Sequence, residues 1–281
     1  MRVLSLGAGV QSSALLIMAD RREGPFKDKP LDLAVFSDTQ NELPDTMKWL
    51  SFMESFIKVP MFRTTRGDLS KDGDFIIPGY LWTPKELGPQ MMLMGIAQTH
   101  KFKKGRGKRI CTVDYKLAPV RKAVREYMGC KKGQRIKPFL KGKKVEMVIG
   151  FSTDEALRIK PSTIPWAENW FPLCEEPLMM SRSDCEKYVQ KIVGQTPPRS
   201  ACYFCPLHSD YEWVRVKTQY PEYFEKACLY DEEMRATKGF NGKMRGELFL
   251  HKSRKPLREV VFDPSIKINP MINECVGHCG N

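Results

Sequence analysis

Met1–Ala19 reads MRVLSLGAGVQSSALLIMA. Met1–Leu6 is a short apolar run, Gly7–Ser13 (GAGVQSS) is a turn of glycines and hydroxyls, and Ala14–Ala19 continues as a helix. A buried strand that turns through glycines into a helix is the opening unit of a parallel α/β sheet. The backbone N–H groups of such a turn, with the positive end of the helix dipole behind them, form a ready anion site. Gly7 and Gly9 let a ligand approach the backbone closely, and Ser5, Ser12 and Ser13 can donate to phosphate oxygens. The stretch predicts a loop that holds the phosphates of a nucleotide.

The flanking chain repeats the pattern. Asp32–Phe36 (DLAVF) reads as a second strand and ends in Ser37-Asp38-Thr39. Polar residues at the carboxyl end of a parallel strand lie where open α/β sheets bind ligands. After Pro44, apolar Met47, Leu50, Met53 and Ile57 recur on a helical period, and Met61–Thr65 reads as a third strand. Further on, Val120–Met128 reads as a helix and Glu146–Gly150 as a buried strand that runs into Phe151–Lys160 (FSTDEALRIK). Ser183–Val193, with Ser183 as its cap, His208–Lys217 and Tyr220–Arg235 read as helices. The alternation predicts an α/β fold with a parallel doubly wound sheet of about five strands. Gly67–Thr99, rich in Gly and Pro, reads as a long irregular functional loop. Pro197-Pro198 marks a boundary. It separates a nucleotide-binding domain over 1–196, with a basic insert near 67–110, from a cysteine-bearing helical subdomain over 197–281.

Composition narrows the partners. The 281 residues are 42% hydrophobic and 28% charged, ordinary values for a globular protein. No apolar run approaches the ~18 residues that span a bilayer, which excludes a membrane-spanning helix. The N-terminus has the pattern of a strand and lacks a basic n-region, so no signal peptide and a cytoplasmic location are expected. In a reducing compartment the nine cysteines point to metal binding or catalysis rather than disulfides. The net charge of +13 predicts a polyanionic partner, nucleic acid or a phosphorylated metabolite. The charge is concentrated in Lys101–Arg109 (KFKKGRGKR) and in residues 131–144, which hold six lysines and one arginine.

Three phosphate loops can be compared with Gly7–Ser13. The P-loop needs a lysine that is absent here. The dinucleotide fingerprint fits Gly7 and Gly9, but Ser12 replaces its third glycine. Gly7-Ala8-Gly9-Val10-Gln11-Ser12 resembles the SGGxDS loop of the PP-loop superfamily, the N-type ATP pyrophosphatases, with Gln11 at the aspartate position. Sulfonucleotide reductases carry a related glycine–x–glutamine form. Phe36–Pro44 (FSDTQNELP) resembles the DTG-x-x-x-P segment of phosphoadenosine phosphosulfate (PAPS) reductase-like proteins. Cys111–Pro119 (CTVDYKLAP) resembles their CCxxRK segment, with Thr112 at its second cysteine and Lys116 at its lysine. Gly150–Ser162, Ser200–Trp213 and Asn273–Gly280 are similar to further blocks of a bacterial and phage PAPS reductase-like group, in the same order.

The resemblance implies an adenine-nucleotide α-hydrolase-like, Rossmann-like sheet. Ser5, Gly7, Ala8, Gly9, Gln11, Ser12 and Ser13 would surround the phosphates of ATP, or of PAPS or adenylyl sulfate. Asp38 would sit near the ribose or a Mg²⁺ ion, with Thr39 donating to phosphate. Gly150, Asp154 and Arg158 would face the nucleotide, and Lys116 would neutralise phosphate or sulfate charge. Cys202-x-x-Cys205 has chelate spacing, two thiolates able to reach one metal. By the same resemblance Cys111 and Cys185 would complete a [4Fe–4S] cluster; alternatively Cys275 and Cys279 would complete a zinc tetrathiolate. With the cluster in place, Cys275 and Cys279 would be free for thiol chemistry, activated by His278 and nearby cations. His208 is either a ligand, a donor to one, or a helix partner. Cys130, Cys174 and Cys228 read as core or surface cysteines.

Three functions follow. The first is ATP-dependent adenylylation and sulfur transfer onto tRNA or DNA held by 101–109 and 131–144, with the sulfur donor unspecified. The second is PAPS or adenylyl-sulfate reduction by Cys275 or Cys279. The third is a zinc-stapled nucleic-acid-binding protein with a degenerate loop. A homodimer is compatible with each.

Overall fold

The structure is a computed structural model that describes residues 1–71, 75–82, 93–97, 111–236 and 247–265. In chain order its strands and α-helices are β1 (Arg2–Leu6), α1 (Val10–Asp20), β2 (Leu33–Asp38), α2 (Pro44–Phe56), β3 (Met61–Thr65), β4 (Phe75–Trp82), β5 (Leu93–Ala97), α3 (Ala118–Tyr127), β6 (Val145–Val148), β7 (Ala167–Trp170), α4 (Arg182–Val193), α5 (Asp210–Gln219), α6 (Pro221–Ala236) and β8 (Glu247–Phe249). No helix among the described residues is long and apolar enough to cross a membrane.

Five strands form one all-parallel sheet in the order β3-β2-β1-β6-β7. Alternation along each strand sends successive side chains to opposite faces. Leu4, Leu6, Ala34, Phe36 and Val148 meet α1, α2 and α4, which contribute Leu15, Trp49, Leu50, Met53 and Val189 to the same core. Val3, Leu33, Val35, Val145 and Met147 meet Val120 and Val124 of α3 on the other face. Helices on both faces of a parallel sheet make this a doubly wound α/β fold. The order reverses between β1 and β6, so their carboxyl ends form the topological switch point.

Gly150, just past β6, is the seat on which α1 rests. A Cβ at this position would lie 3.0 Å from the Ser12 amide nitrogen and 3.2 Å from the Gln11 carbonyl carbon. Only glycine lets these two backbones approach so closely.

A second core belongs to the C-terminal part. Trp213 and Val216 of α5, with Phe224, Cys228 and Met234 of α6, pack with Tyr203, Phe204 and Leu257. Leu43, Leu69 and Tyr115 join this core from the sheet side, so the two parts share an apolar seam.

The structure departs from the sequence reading at several places. The stretch 67–99, expected as an irregular loop, contains β4 and β5, an antiparallel pair, and β8 adds to β4 to make a second sheet, β5-β4-β8. Pro78-Gly79 has the composition of a break, but it falls where the β4–β5 register shifts between Ile76 and Gly79, so the strand absorbs it as an irregularity. The basic insert 101–109 lies outside the described residues. The edge strand β7 (AENW) has no apolar period of its own and exists through its pairing with β6. The cap of α4 is Ser181, not Ser183: the Ser181 hydroxyl accepts from the Asp184 amide, and Asp184 accepts in return from the Ser181 amide, a capping box. Residues 131–144 precede β6 and so lie at the amino edge of the sheet, opposite the Gly7–Gly9 turn.

Replacing Gly150 by Ala is expected to destabilise the protein by about 1–3 kcal/mol, because backbone atoms rather than flexible side chains must give way. Urea unfolding measures it; an unchanged midpoint would disprove the close seat.

Candidate functional site

The turn after β1 keeps the geometry an anion needs. Ala8 adopts a left-handed conformation (φ +55°). Gly9, the N-cap of α1, is extended, with open space where a side chain would point. The first bond of the helical ladder runs from the Ser13 amide to the Gly9 carbonyl, 3.0 Å. The amides of Val10, Gln11 and Ser12 precede that ladder. Beside the turn, at the carboxyl ends of β1 and β2, an open, shallow cleft is lined by Ser5, Gly7, Ser37 and Lys116. These lining residues come from β1 and the turn that follows it, from β2, and from the π-helical turn Cys111–Leu117 that leads into α3.

Other residues expected at the phosphates are used by the protein itself. Ser13 is fully buried and accepts a 2.9 Å bond from Trp49 Nε1, so it belongs to the α1–α2 core and not to the cleft. Ser12 Oγ donates to the Gly9 carbonyl at 3.2 Å. Gln11 is buried and donates from Nε2 to Glu155 Oε2 at 3.1 Å, which ties α1 to the 3₁₀ turn Thr153–Arg158. Burial pushes the Glu155 carboxyl up, opposed by its ion pair with Arg158. Arg158 in turn stacks 4.6 Å over the Phe151 ring. Asp154 Oδ2 accepts the Arg182 amide at 2.7 Å and so anchors the first turn of α4. Asp38 Oδ1 accepts the Gln40 amide at 2.6 Å, closing a turn in which Gln40 is left-handed (φ +62°). Gly150 acts through packing, as described above.

Behind the cleft lies a buried polar group that joins the sheet to the C-terminal part. Lys116, 8% exposed, places Nζ 3.6 Å from Glu42 Oε1. Thr39 Oγ1 donates to the same carboxylate oxygen at 3.3 Å and lies 3.3 Å from Cys202 Sγ. Cys202 Sγ is 3.9 Å from Glu42 Oε1. The backbone holds this register, because Glu42 and Cys202 form an antiparallel bridge and the Tyr203 amide donates to the Asn41 carbonyl at 2.9 Å. Thr39, Lys116 and Cys202 are legible as candidates in the sequence. Glu42 is not, and its only signal is an acid three residues after Thr39 in a polar strand end.

Burial pushes the Cys202 thiol well above its usual range, and the Glu42 carboxylate pushes it further; Lys116 and the Thr39 hydroxyl oppose this. Cys202 is therefore a neutral thiol at pH 7. His208 is also buried, and desolvation holds its pKa well below the usual value, helped by the neighbouring positive charge of Arg199. Its Nε2 bonds the Cys202 carbonyl at 3.0 Å and its ring packs edge-on to Trp213. These contacts make His208 a structural partner of the CxxC turn.

The four-cysteine set of Cys111, Cys185, Cys202 and Cys205 is not assembled. Cys202 and Cys205 share one turn, closed by the Cys205 amide on the Cys202 carbonyl at 3.0 Å, and Cys111 and Cys202 border the same aromatic core. Cys185 instead lies fully buried on α4 in the core against α1, its thiol pushed up to about 12 chiefly by desolvation. The helical period of α4 turns Cys185 inward with Val189, four residues on. Among the described residues no three His, Cys, Asp or Glu side chains are arranged to hold a metal ion. The residues present do not fit a four-thiolate group that includes Cys185. Cys275, Cys279 and His278 lie outside the described residues. Cys130 and Cys228 are buried, and Cys174 donates to the Phe151 carbonyl at 3.2 Å.

No protein-family model, curated protein or solved structure matches this chain.

Two outcomes test this geometry. Ser13→Ala is expected to cost about 1–3 kcal/mol by orphaning the Trp49 indole, while leaving ligand affinity unchanged; urea unfolding beside a binding titration separates the two. Alkylation of Cys202, followed by mass mapping, is expected to have a pH midpoint above the ~8.5 of a free thiol, and Glu42→Gln is expected to lower it. A wild-type midpoint at or below the free value would contradict the buried pairing.

Proposed function

We propose that this chain is an adenine-nucleotide α-hydrolase-like enzyme that binds ATP at the switch point and adenylylates a carbonyl-type oxygen, preparing it for replacement by sulfur. The observation that carries this reading is the cleft that Ser5, Gly7, Ser37 and Lys116 line beside the turn between β1 and α1. A buried lysine lines it, and the glycine turn with the helix dipole behind it adjoins it, features that suit a polyphosphate. In the adenylylation step the acceptor oxygen attacks the α-phosphorus, a new P–O bond forms, and pyrophosphate leaves with the electrons of the broken P–O bond. Lys116 balances charge on the phosphoryl oxygens, while Glu42 keeps its ammonium in place. A sulfide-level donor then attacks the activated carbon, and AMP leaves with the original oxygen.

A nucleic acid as the acceptor is supported by net charge alone. The largely exposed 131–144 stretch is on the far edge of the sheet from the cleft, and 101–109 lies outside the described residues. Binding through such lysines would weaken steeply with salt.

One observation favours a second reading. Gln11, at the position of the pyrophosphatase aspartate, is committed to Glu155 and offers the turn no carboxylate for a metal–pyrophosphate complex. Sulfonucleotide reduction needs none: a thiolate from Cys275 or Cys279 would attack the sulfonyl sulfur, AMP or its 3′-phosphate would leave, and the second thiol would release sulfite as a disulfide forms.

Incubation with ATP and Mg²⁺, with products separated by mass, tests the first reading. AMP and pyrophosphate are expected, and Lys116→Gln is expected to slow their formation by roughly 10²–10³-fold. Sulfite released from PAPS without ATP would select reduction instead. A wild-type protein that binds no nucleotide would overturn both.

A further inference from the structure

A second, shallow cleft opens on the α3 face of the sheet, over β1, β6 and β7. Its floor is apolar, with Val120 and Met147, and its walls carry Ser5, Arg121, Ser162, Thr163 and Asn169. Ser5 and Val120 also line the cleft beside the phosphate turn, so the two openings adjoin along the carboxyl edge.

Arg121 is the wall residue that stands apart. It is half-buried on the first turn of α3, yet it has no hydrogen bond or ion pair with any described residue. The other basic residues drawn into the sheet's surroundings have partners: Arg2 pairs with Glu146, Arg63 with Glu54, and Lys116 with Glu42. Burial is the one influence acting on the Arg121 guanidinium, and it lowers its pKa without a neighbouring charge to offset it. Ser5 is also buried, 7% exposed, and its hydroxyl has no partner among the described residues. Thr163 carries a second hydroxyl without a partner among the described residues, at the rim. Asn169 donates to the Lys160 carbonyl at 3.0 Å, which holds its amide at the wall. A half-buried guanidinium and the buried Ser5 hydroxyl, left without acceptors around one cleft, are arranged for an oxyanion, because enclosing them unpaired is costly and a bidentate acceptor removes that cost.

We infer that the Arg121 cleft is a second oxyanion subsite that receives a phosphate group next to the nucleotide cleft. Arg121 supplies the bidentate fork, and Ser5 and Thr163 donate from the side. The subsite rests on its own residues. Only its pairing with a bound nucleotide depends on the function proposed above. The phosphate is either a further group on the nucleotide itself or a separate phosphate carried by the second substrate.

Titration of the full-length protein with orthophosphate, and separately with ATP, tests this. Wild type is expected to take up two phosphates, and Arg121→Gln to lose or weaken one of them by roughly tenfold or more, whereas Ser5→Ala, which lines both clefts, is expected to weaken both. Lys116→Gln is expected to weaken the other. Arg121 touches no acceptor among the described residues, so Arg121→Gln is expected to unfold no earlier than wild type. Arg121→Lys should retain part of the binding, since it keeps the charge and loses the fork. A matching loss of ATP affinity in Arg121→Gln places the phosphate on the nucleotide; unchanged ATP affinity places it on a separate molecule. Identical phosphate titrations for wild type and Arg121→Gln would overturn the subsite while leaving ATP binding intact. Phosphate uptake that depends on Arg121 in a protein that binds no ATP would uphold the subsite and overturn the nucleotide reading.

Discussion

The first turn of α1 rests on the bare backbone of Gly150, and the carboxyl edge of the sheet is set by that contact. The seat brings the end of β6 against the turn that follows β1, which is where a doubly wound sheet opens toward ligands. From there the connections run outward. Gln11 reaches Glu155, Glu155 holds Arg158, and Asp154 starts α4, which packs back on α1. One missing side chain thus lets two βα units share a single corner. The amides of Val10, Gln11 and Ser12 precede the helical ladder, while the Gln11 and Ser13 side chains are occupied with holding that corner together.

A second constraint is polar. Thr39, Glu42, Lys116 and Cys202 meet in the seam between the sheet and the C-terminal helices. Alongside them, Arg215 bonds Asp45 at the start of α2 and Glu212 within α5, and Arg199 lies 3.8 Å from Glu212. Pairs this enclosed contribute little net stability, since desolvation offsets the Coulomb attraction. Their effect is registration: α5 is held to the start of α2, and the CxxC turn is held to the end of β2. The same enclosure keeps Cys202 protonated and His208 neutral, so the seam is a rigid wall behind Lys116 and not a reservoir of reactive thiolate.

Much of the sheet is legible in the chain. β1, β2 and β6 carry compact apolar runs, and α2 and α3 carry a clear helical period, because each buries one face against the same layer. The edge strand β7 and the β5-β4-β8 sheet are not legible. AENW has no pattern, and Pro78-Gly79 breaks the pattern of β4; both elements exist through the partner that pairs with them. At the site, the Gly7–Gly9 turn is readable from residue type and spacing, and Lys116 only through the resemblance of Cys111–Pro119 to a family segment. Ser13 misleads, because a hydroxyl in a helix's first turn serves an indole as readily as a phosphate. Cys185 misleads for a similar reason: cysteine spacing does not say which side of a helix faces which core. Arg121 looks like one more surface cation among many, and only its lack of an acceptor among the described residues sets it apart.

The sequence by itself determined the alternation of strand and helix, the glycine turn, the surplus of positive charge and the chelate spacing of Cys202 and Cys205. These are properties of neighbouring residues and need no knowledge of the rest of the chain. Only the tertiary structure decided which groups share a site. Thr39 and Cys202 are 163 positions apart, Gln11 and Glu155 are 144 apart, and both pairs meet because the strand order folds them to one edge. Burial, which keeps Cys202 protonated and His208 neutral, is a property of that packing and has no local signature in the chain.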